Sequence, residues 1–224
     1  MIQLEAVSHF YGERRVLRDV SLDLSEHRVG VIGANGSGKS TLGRLLNGLV
    51  LPTSGRVRVD GLDTRRDGAA VRRKVGFVFS DPDAQIVMPT VGEDVAFSLR
   101  RDKLERAEVA ARVEEVLSRY GLLGHRDHPA HLLSSGQKQL LALAAVIVTR
   151  PDVLVCDEPT TLLDLRNTRE VAALLDTLSQ RLILVTHDLE LLEGWSRVLV
   201  MNDGRIVADG PASEALPFYR GLMS

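Results

Sequence analysis

Nine consecutive residues carry much of the chemistry open to this sequence: Gly33-Ala34-Asn35-Gly36-Ser37-Gly38-Lys39-Ser40-Thr41. Gly36 and Gly38 let the backbone come close to an anion, so that its N–H groups point inward. Lys39 can reach the β- and γ-phosphates of a nucleotide, and the Ser40 hydroxyl can bind Mg²⁺. Asn35, Ser37 and Thr41 complete the cradle, and a helix starting here would add its partial positive charge. A cradle of this kind needs a strand before it and a helix after it. Residues 28–32, Arg-Val-Gly-Val-Ile, read as a short apolar strand. Leu42, Leu45, Leu46 and Leu49 recur at helical spacing and give one buried face ending near Gly48.

A second apolar strand, residues 153–156, runs straight into Asp157 and Glu158. Parallel sheets bind ligands at the carboxyl ends of their strands, which would bring these acids beside the phosphate loop. There Asp157 can hold Mg²⁺ and Glu158 can polarise an attacking water. Taken alone, Asp-Glu-Pro is equally an acidic exit from a strand; the Lys39 loop favours the catalytic reading. Leu133-Ser134-Ser135-Gly136-Gln137 precedes a long apolar helix. Hydroxyls, a glycine and free N–H groups at a helix start make a second anion site, or simply a serine N-cap.

The elements that must position these groups follow from pattern. Residues 2–32 are strand-rich, residues 56–60 and 75–79 add short strands, and residues 105–120 place Val109, Val113, Val116 and Tyr120 on one helical face. A helix starts near Ser135, another covers about 166–178, and residues 182–185 form a strand. Asn202-Asp203-Gly204 closes a final hairpin. A mostly helical segment, about 91–149, thus interrupts an α/β core of about 1–90 and 150–224. With 44% hydrophobic residues the chain can bury a substantial core. A net charge of −2 provides no general attraction for nucleic acid or anionic lipid. The longest apolar run, residues 140–148, is too short to cross a bilayer, and the N-terminus lacks the pattern of a secretion signal. One cysteine, Cys156, excludes an internal disulfide, fits a reducing cytosol and reads as a small core hydrophobe. His125, His128 and His131 suggest a metal site by spacing, but Pro129 interrupts any helix that would align them.

The phosphate loop, Leu-Ser-Ser-Gly-Gln, Asp157-Glu158, Thr161-Leu162-Leu163-Asp164 and Thr186-His187-Asp188 occur in the order and spacing of ABC-transporter ATPases, which the chain resembles over nearly its whole length. The resemblance implies one ABC ATPase domain over 1–224: an α/β P-loop NTPase core with a mostly parallel sheet, an antiparallel β subdomain and an inserted helical subdomain. It implies that Tyr11 stacks on the adenine of ATP. It implies that Ser134, Ser135, Gly136 and Gln137 cap the γ-phosphate of ATP held by a second subunit, and that Asp164 links the two sites. His187 would contact the γ-phosphate and orient the water.

Two positions depart from the family pattern. Ser135 stands where the family usually has glycine. Ser80 stands where the family has a glutamine that ligates Mg²⁺; Gln85, five residues on, is the neighbouring amide that could serve the metal. Pro82-Asp83-Ala84-Gln85-Ile86-Val87 and the following 90–97 resemble the extra glutamine-bearing helix of energy-coupling-factor importers. These imply a membrane scaffold protein and a substrate-capture protein as partners, with vitamins or transition-metal ions as solutes. The short C-terminus resembles that of biotin-importer ATPases. Glu93 and Asp94 become candidates for pairing with arginines of the scaffold, or plain acids favoured at a helix start. The expectation is a MgATP-hydrolysing homodimer at the cytoplasmic face of the membrane, reaching the membrane only through partners and binding no nucleic acid. The rivals are an ATPase importing amino acids or inorganic ions, a DNA-maintenance ABC ATPase, and a P-loop kinase. The second would want a coiled-coil insertion or basic groove, and the third would need neither residues 133–137 nor His187.

Overall fold

The computed structural model describes all 224 residues. Strands β1 (Ile2–Tyr11), β2 (Arg14–Leu24) and β3 (Arg28–Gly33) lead into helix α1 (Lys39–Leu46). Then come β4 (Ser54–Val59), β5 (Leu62–Asp63), α2 (Gly68–Lys74), β6 (Val75–Val78), α3 (Val91–Ser98), α4 (Arg106–Arg119) and α5 (Ser135–Ile147). The chain continues through β7 (Val153–Asp157), α6 (Leu165–Asp176), β8 (Arg181–Val185), β9 (Val198–Asn202), β10 (Arg205–Gly210) and α7 (Ala212–Met223).

Two compact units result. One comprises Met1–Phe77, Asp152–Glu158 and Leu178–Ser224; the other comprises Val78–Pro151 and Pro159–Thr177. The second unit therefore starts earlier than the 91–149 segment that the sequence suggests, and it also takes in α6.

The first unit holds two sheets, of strand order β2-β1-β4-β5 and β10-β9-β3-β8-β7-β6. In the larger sheet β3 runs parallel to both β8 and β9, and β7 runs parallel to β8. Strands β3, β7 and β8 are apolar without alternation: Val31, Ile32, Leu154, Val155, Leu184 and Val185 are all essentially buried, as expected of a sheet covered on both faces. Register then fixes the functional edge. Val31 and Asp157 both lie opposite Val185, so the chain segments after β3, β7 and β8 leave the sheet at the same edge. Helix α1 buries Leu42, Leu45 and Leu46, and a methyl group on Gly43 would come within 3.3 Å of Val155. The β9–β10 hairpin turns on Asp203 and Gly204, both at positive φ, the geometry that matches strand twist in a two-residue loop.

In the second unit α5 packs against α3, α4 and α6. Val113, Val116 and Tyr120 are buried as the helical spacing predicts, with Leu141 and Leu143 at the centre. Two expectations change here. The glutamine-bearing helix shrinks to a single 3₁₀ turn, Pro82–Ala84, started by Asp81 accepting the Asp83 N–H. The segment after it is drawn out of helix by Asp94, which accepts the N–H groups of Val87 and Met88. For the same reason Asp94 is not free to meet an arginine outside the chain: it is buried, and burial pushes its carboxyl above the usual range against those two hydrogen bonds. Glu93 stays exposed, in a capping box with Thr90.

Candidate active site

The loop after β3 is shaped by steric exclusion. Gly38, the N-cap of α1, has φ 102°, and a Cβ there would lie 2.9 Å from both the Leu17 side chain and the Val16 carbonyl. Gly36 also has positive φ (80°). An L-residue at Gly38 is excluded on two counts, so the backbone amides stay open to the cavity. That cavity, about 310 Å³, is lined by Tyr11, Arg14, Val16, Asn35, Gly36, Gly38, Lys39, Ser40, Thr41 and Glu158. Ser37 does not line it, and its hydroxyl is buried without a hydrogen-bond partner.

The groups at this edge are already in contact. Lys39 Nζ donates to the carbonyls of Gly33 (2.7 Å) and Ala34 (3.0 Å). Burial pulls its ammonium below the ordinary lysine range, while Glu158 and Asp157 act the other way. The Ser40 hydroxyl donates to Asp157 Oδ1 at 2.8 Å. Asp157 is buried, and that burial raises its carboxyl despite the Ser40 hydrogen bond and the Arg44 guanidinium 3.9 Å away. Glu158 sits at φ 52°, in the left-handed region that a non-glycine residue occupies at an energetic cost. Its N–H nonetheless continues the ladder to Val185 O (2.8 Å). Its carboxylate accepts the His187 N–H at 3.3 Å and lies 2.6 Å from His187 Nδ1. The backbone strain thus belongs to a turn that holds an acid against an exposed imidazole.

Tyr11 is exposed at the cavity mouth, its ring edge-on to His9 with centroids 4.6 Å apart. Arg14 was not signalled by any motif. It pairs with Tyr11 across the β1–β2 turn, and its guanidinium lies 3.4 Å from where a Gly36 Cβ would be. A basic residue three positions after the aromatic, across a Gly12 turn, was the available clue.

The remaining expected residues belong to the second unit. Ser134 caps α5: its Oγ accepts the Gln137 N–H (3.3 Å), and Gln137 Oε1 accepts the Ser134 N–H (3.0 Å). Ser134 and Ser135 are exposed. Gly136 is buried, and a Cβ there would lie 2.5 Å from Asn167 Oδ1, so the Asn167 side chain of α6 rests directly on the glycine of α5. Asn167 is also held by Asp164, which caps α6 by accepting its N–H at 2.8 Å. Gln85 has a different task from the metal role expected of it. Its Oε1 accepts the Phe79 N–H (3.1 Å) and its Nε2 donates to the Ala142 carbonyl (2.9 Å), tying the 79–85 segment to α5. Ser80 is half-buried. His125 and His128 touch each other, but no group of three ligating side chains is assembled for a metal.

A parallel sheet carrying a glycine loop, lysine and serine at one edge defines an α/β P-loop NTPase. The family model described as "ABC transporter" matches residues 17–161. The chain is 60% identical over its whole length, and 99% of the other's, to a Deinococcus radiodurans protein provisionally named an ABC transporter ATP-binding protein. It is 48% identical, over 99% of this chain and 98% of the other, to the biotin transport ATP-binding protein BioM of Rhizobium etli. To the energy-coupling factor transporter ATP-binding protein EcfA1 of Symbiobacterium thermophilum it is 43% identical, over 95% and 80%. Among solved structures, cbiO1 of Clostridium perfringens, part of the ABC transporter complex cbiONQ, superposes with a TM-score of 0.85 at 32% identity, covering 99% of this chain and 92% of that one. The chain belongs to the ABC transporter family, as an ATPase whose hydrolysis is coupled to transport. No helix is long and apolar enough to cross a membrane.

Proposed function

We propose that this chain is the MgATP-hydrolysing subunit of an energy-coupling-factor importer, with biotin as the favoured solute. The observation that carries the hydrolytic reading is the contact set at one sheet edge: Lys39 on the loop carbonyls, Ser40 on Asp157, and strained Glu158 on His187. The triphosphate fits this edge because its oxygens are charged acceptors. Lys39 Nζ and the inward amides of residues 36–41 would bind them better than neutral carbonyls bind Lys39 now. Mg²⁺ would be held by Ser40 and Asp157, where the hard oxygen pair suits it; when bound it neutralises charge on the phosphates.

Glu158 is then the group that orients water for attack on the γ-phosphorus. A P–O bond forms as the bond to the ADP oxygen breaks, and the water's proton passes to Glu158 or to the departing phosphate. His187, hydrogen-bonded to Glu158, positions that carboxylate. Tyr11 supplies a stacking face for adenine, and Arg14 adds a cation at the cavity wall. The exposed Ser134 and Ser135, with Gly136 and Gln137, would cap ATP on a second copy, and Asp164 would support that contact. One chain carries both kinds of half-site, so a homodimer suffices.

For the importer class, the likeness to EcfA1, BioM and cbiO1 and the 82–97 segment support this reading over an amino-acid or inorganic-ion importer. A membrane scaffold and a capture protein would be the partners, holding the chain at the cytoplasmic face. The test is Glu158→Gln: it keeps ATP binding and lowers turnover by ~10²-fold or more. Near-normal turnover would remove Glu158 from this role. Co-purification with a capture protein that binds labelled biotin tests the solute.

A further inference from the structure

Around the start of α5 the hydrogen bonds fix where every proton lies. The Ser134 backbone N–H can only donate, so the Gln137 atom 3.0 Å from it is the carbonyl Oε1. The other end of that amide, Nε2, faces His125 Nε2 at 3.1 Å. An amide nitrogen only donates, so His125 Nε2 is bare and the ring carries its proton on Nδ1. That Nδ1–H then donates to His128 Nδ1 at 2.9 Å, which places the proton of His128 on Nε2. The two rings meet edge-on, with centroids 5.0 Å apart. The backbone fixes His128: its N–H donates to the His125 carbonyl (2.9 Å) and its carbonyl accepts the Val91 N–H at the start of α3 (3.2 Å).

We propose that His125 is a positioning residue for ATP hydrolysis: as a neutral Nδ1–H imidazole relayed to His128, it locks the Gln137 amide in the orientation that presents residues 134–137. The proposal rests on the reading that those residues meet ATP. A proton added to His125 makes Nε2 a donor facing an NH₂ group. The Gln137 amide must then turn over, which sets its NH₂ against the Ser134 N–H and opens the capping box. A proton added to His128 Nδ1 drives the proton of His125 across to Nε2, with the same outcome. The pair is a single-proton device, whichever ring takes the charge.

The charged groups on the neighbouring elements have partners of their own or lie in solvent. On α3, Glu93 is engaged by Thr90 and Asp94 by the Val87 and Met88 N–H groups. On α5, Lys138 pairs with Asp83 of the 82–84 turn. Arg126, Asp127 and His131 are exposed on the connecting segment. His125 itself is half-buried and His128 exposed, so solvent protons reach the pair.

The experiment is a pH titration of the full ¹⁵N-labelled chain across ~pH 5 to 8, where histidine ordinarily changes charge. Basal ATP turnover is measured over the same range for wild type, His125→Ala and His125→Gln. The glutamine variant keeps an acceptor where Nε2 was and cannot titrate. Expected are a Ser134 backbone amide and a Gln137 side-chain amide that follow the titration of the His125 and His128 rings, and lose that dependence in His125→Gln. Turnover of wild type falls about fivefold toward acid relative to His125→Gln, an effect of one hydrogen bond. His125→Ala is lowered at every pH and His125→Gln restores it. Amide resonances indifferent to the histidine titration overturn the proposal and leave the functional reading standing. Resonances that follow it, with superimposable turnover profiles for wild type and His125→Gln, overturn the reading that residues 134–137 act on ATP, and the proposal with it.

Discussion

The two units handle their functional side chains in opposite ways. In the first, groups from different elements meet one another: Ser40 from α1 on Asp157 from β7, and Glu158 after β7 on His187 after β8. In the second, each group is used by its own helix: Ser134 and Gln137 cap α5, and Asp164 caps α6. On the proposed function, the first arrangement is a reaction centre whose parts restrain one another. The second is a capped helix start with two exposed serines, which that reading sets against a ligand held by another molecule. Rigidity there comes from capping and close packing, not from contacts to substrate.

The largest test of the contrast is Lys39→Ala. It removes the buried cation of the loop, and ATP affinity is expected to fall about a hundredfold or more. Thermal stability without nucleotide should change little, because Lys39 now bonds only loop carbonyls. Equilibrium binding of a fluorescent ATP analogue decides it; retained affinity would break the assignment of the loop.

Gly136→Ala sharpens the other side. The added methyl would sit 2.5 Å from Asn167 Oδ1, so the Asn167 side chain must swing aside, at ~1 kcal/mol of stability. The double variant Gly136→Ala with Asn167→Ala should recover part of the loss. A harmless single substitution, read by denaturant unfolding, would show that the helix start is not packed as tightly as proposed.

Smaller effects are expected at Ser80 and Gln85. Both ends of the Gln85 amide are bonded to backbone, so Gln85→Ala should cost ~1–2 kcal/mol of stability while the Mg²⁺ dependence of turnover stays where it is. Ser80→Gln, by contrast, extends a carbonyl oxygen two atoms further and should lower the Mg²⁺ concentration needed for half-maximal turnover. A shift of that Mg²⁺ midpoint in Gln85→Ala, with none in Ser80→Gln, would reverse the two roles.

How much of this was legible in the sequence differs between the same two regions. For the first unit, the strand-loop-helix pattern around Lys39 and the apolar run into Asp157 place both groups at one edge, because a parallel sheet leaves no other arrangement. Arg14 escaped because its place depends on pairing across the β1–β2 turn, which no periodicity encodes. In the second unit the N-cap at Ser134 was legible, but the hydrogen-bond partners of Asp94 and Gln85 were not. Both bond to backbone groups, of Val87 and Met88 in an irregular segment and of Phe79 and the α5 residue Ala142, and hydropathy patterns carry no information about such partners. Helix α7 is likewise masked by Pro217 in its interior.

The smallest effect concerns Asp157, where the first unit holds an acid against its preference for water. Burial raises its carboxyl, chiefly by desolvation, so the folded chain gives up this proton less readily than the unfolded chain. Between the ordinary aspartate range and the raised folded value, the native state binds more protons than the unfolded state. This group's contribution to stability is therefore complete only below the ordinary range, and it declines as pH rises through the folded value. Asp157→Asn is neutral at every pH and keeps an oxygen for the Ser40 hydroxyl. The nucleotide-free variant should accordingly melt a few degrees above wild type at neutral pH, about 2–4 °C for each kcal/mol in a chain of this size. The gap should close as pH falls toward ~3, below the ordinary aspartate range, where the carboxyl of the wild type is protonated in both states. A variant that melts lower than wild type at neutral pH would mean that Lys39 and Arg44 outweigh the desolvation. The acid would then belong to the structure of the edge and not only to its chemistry.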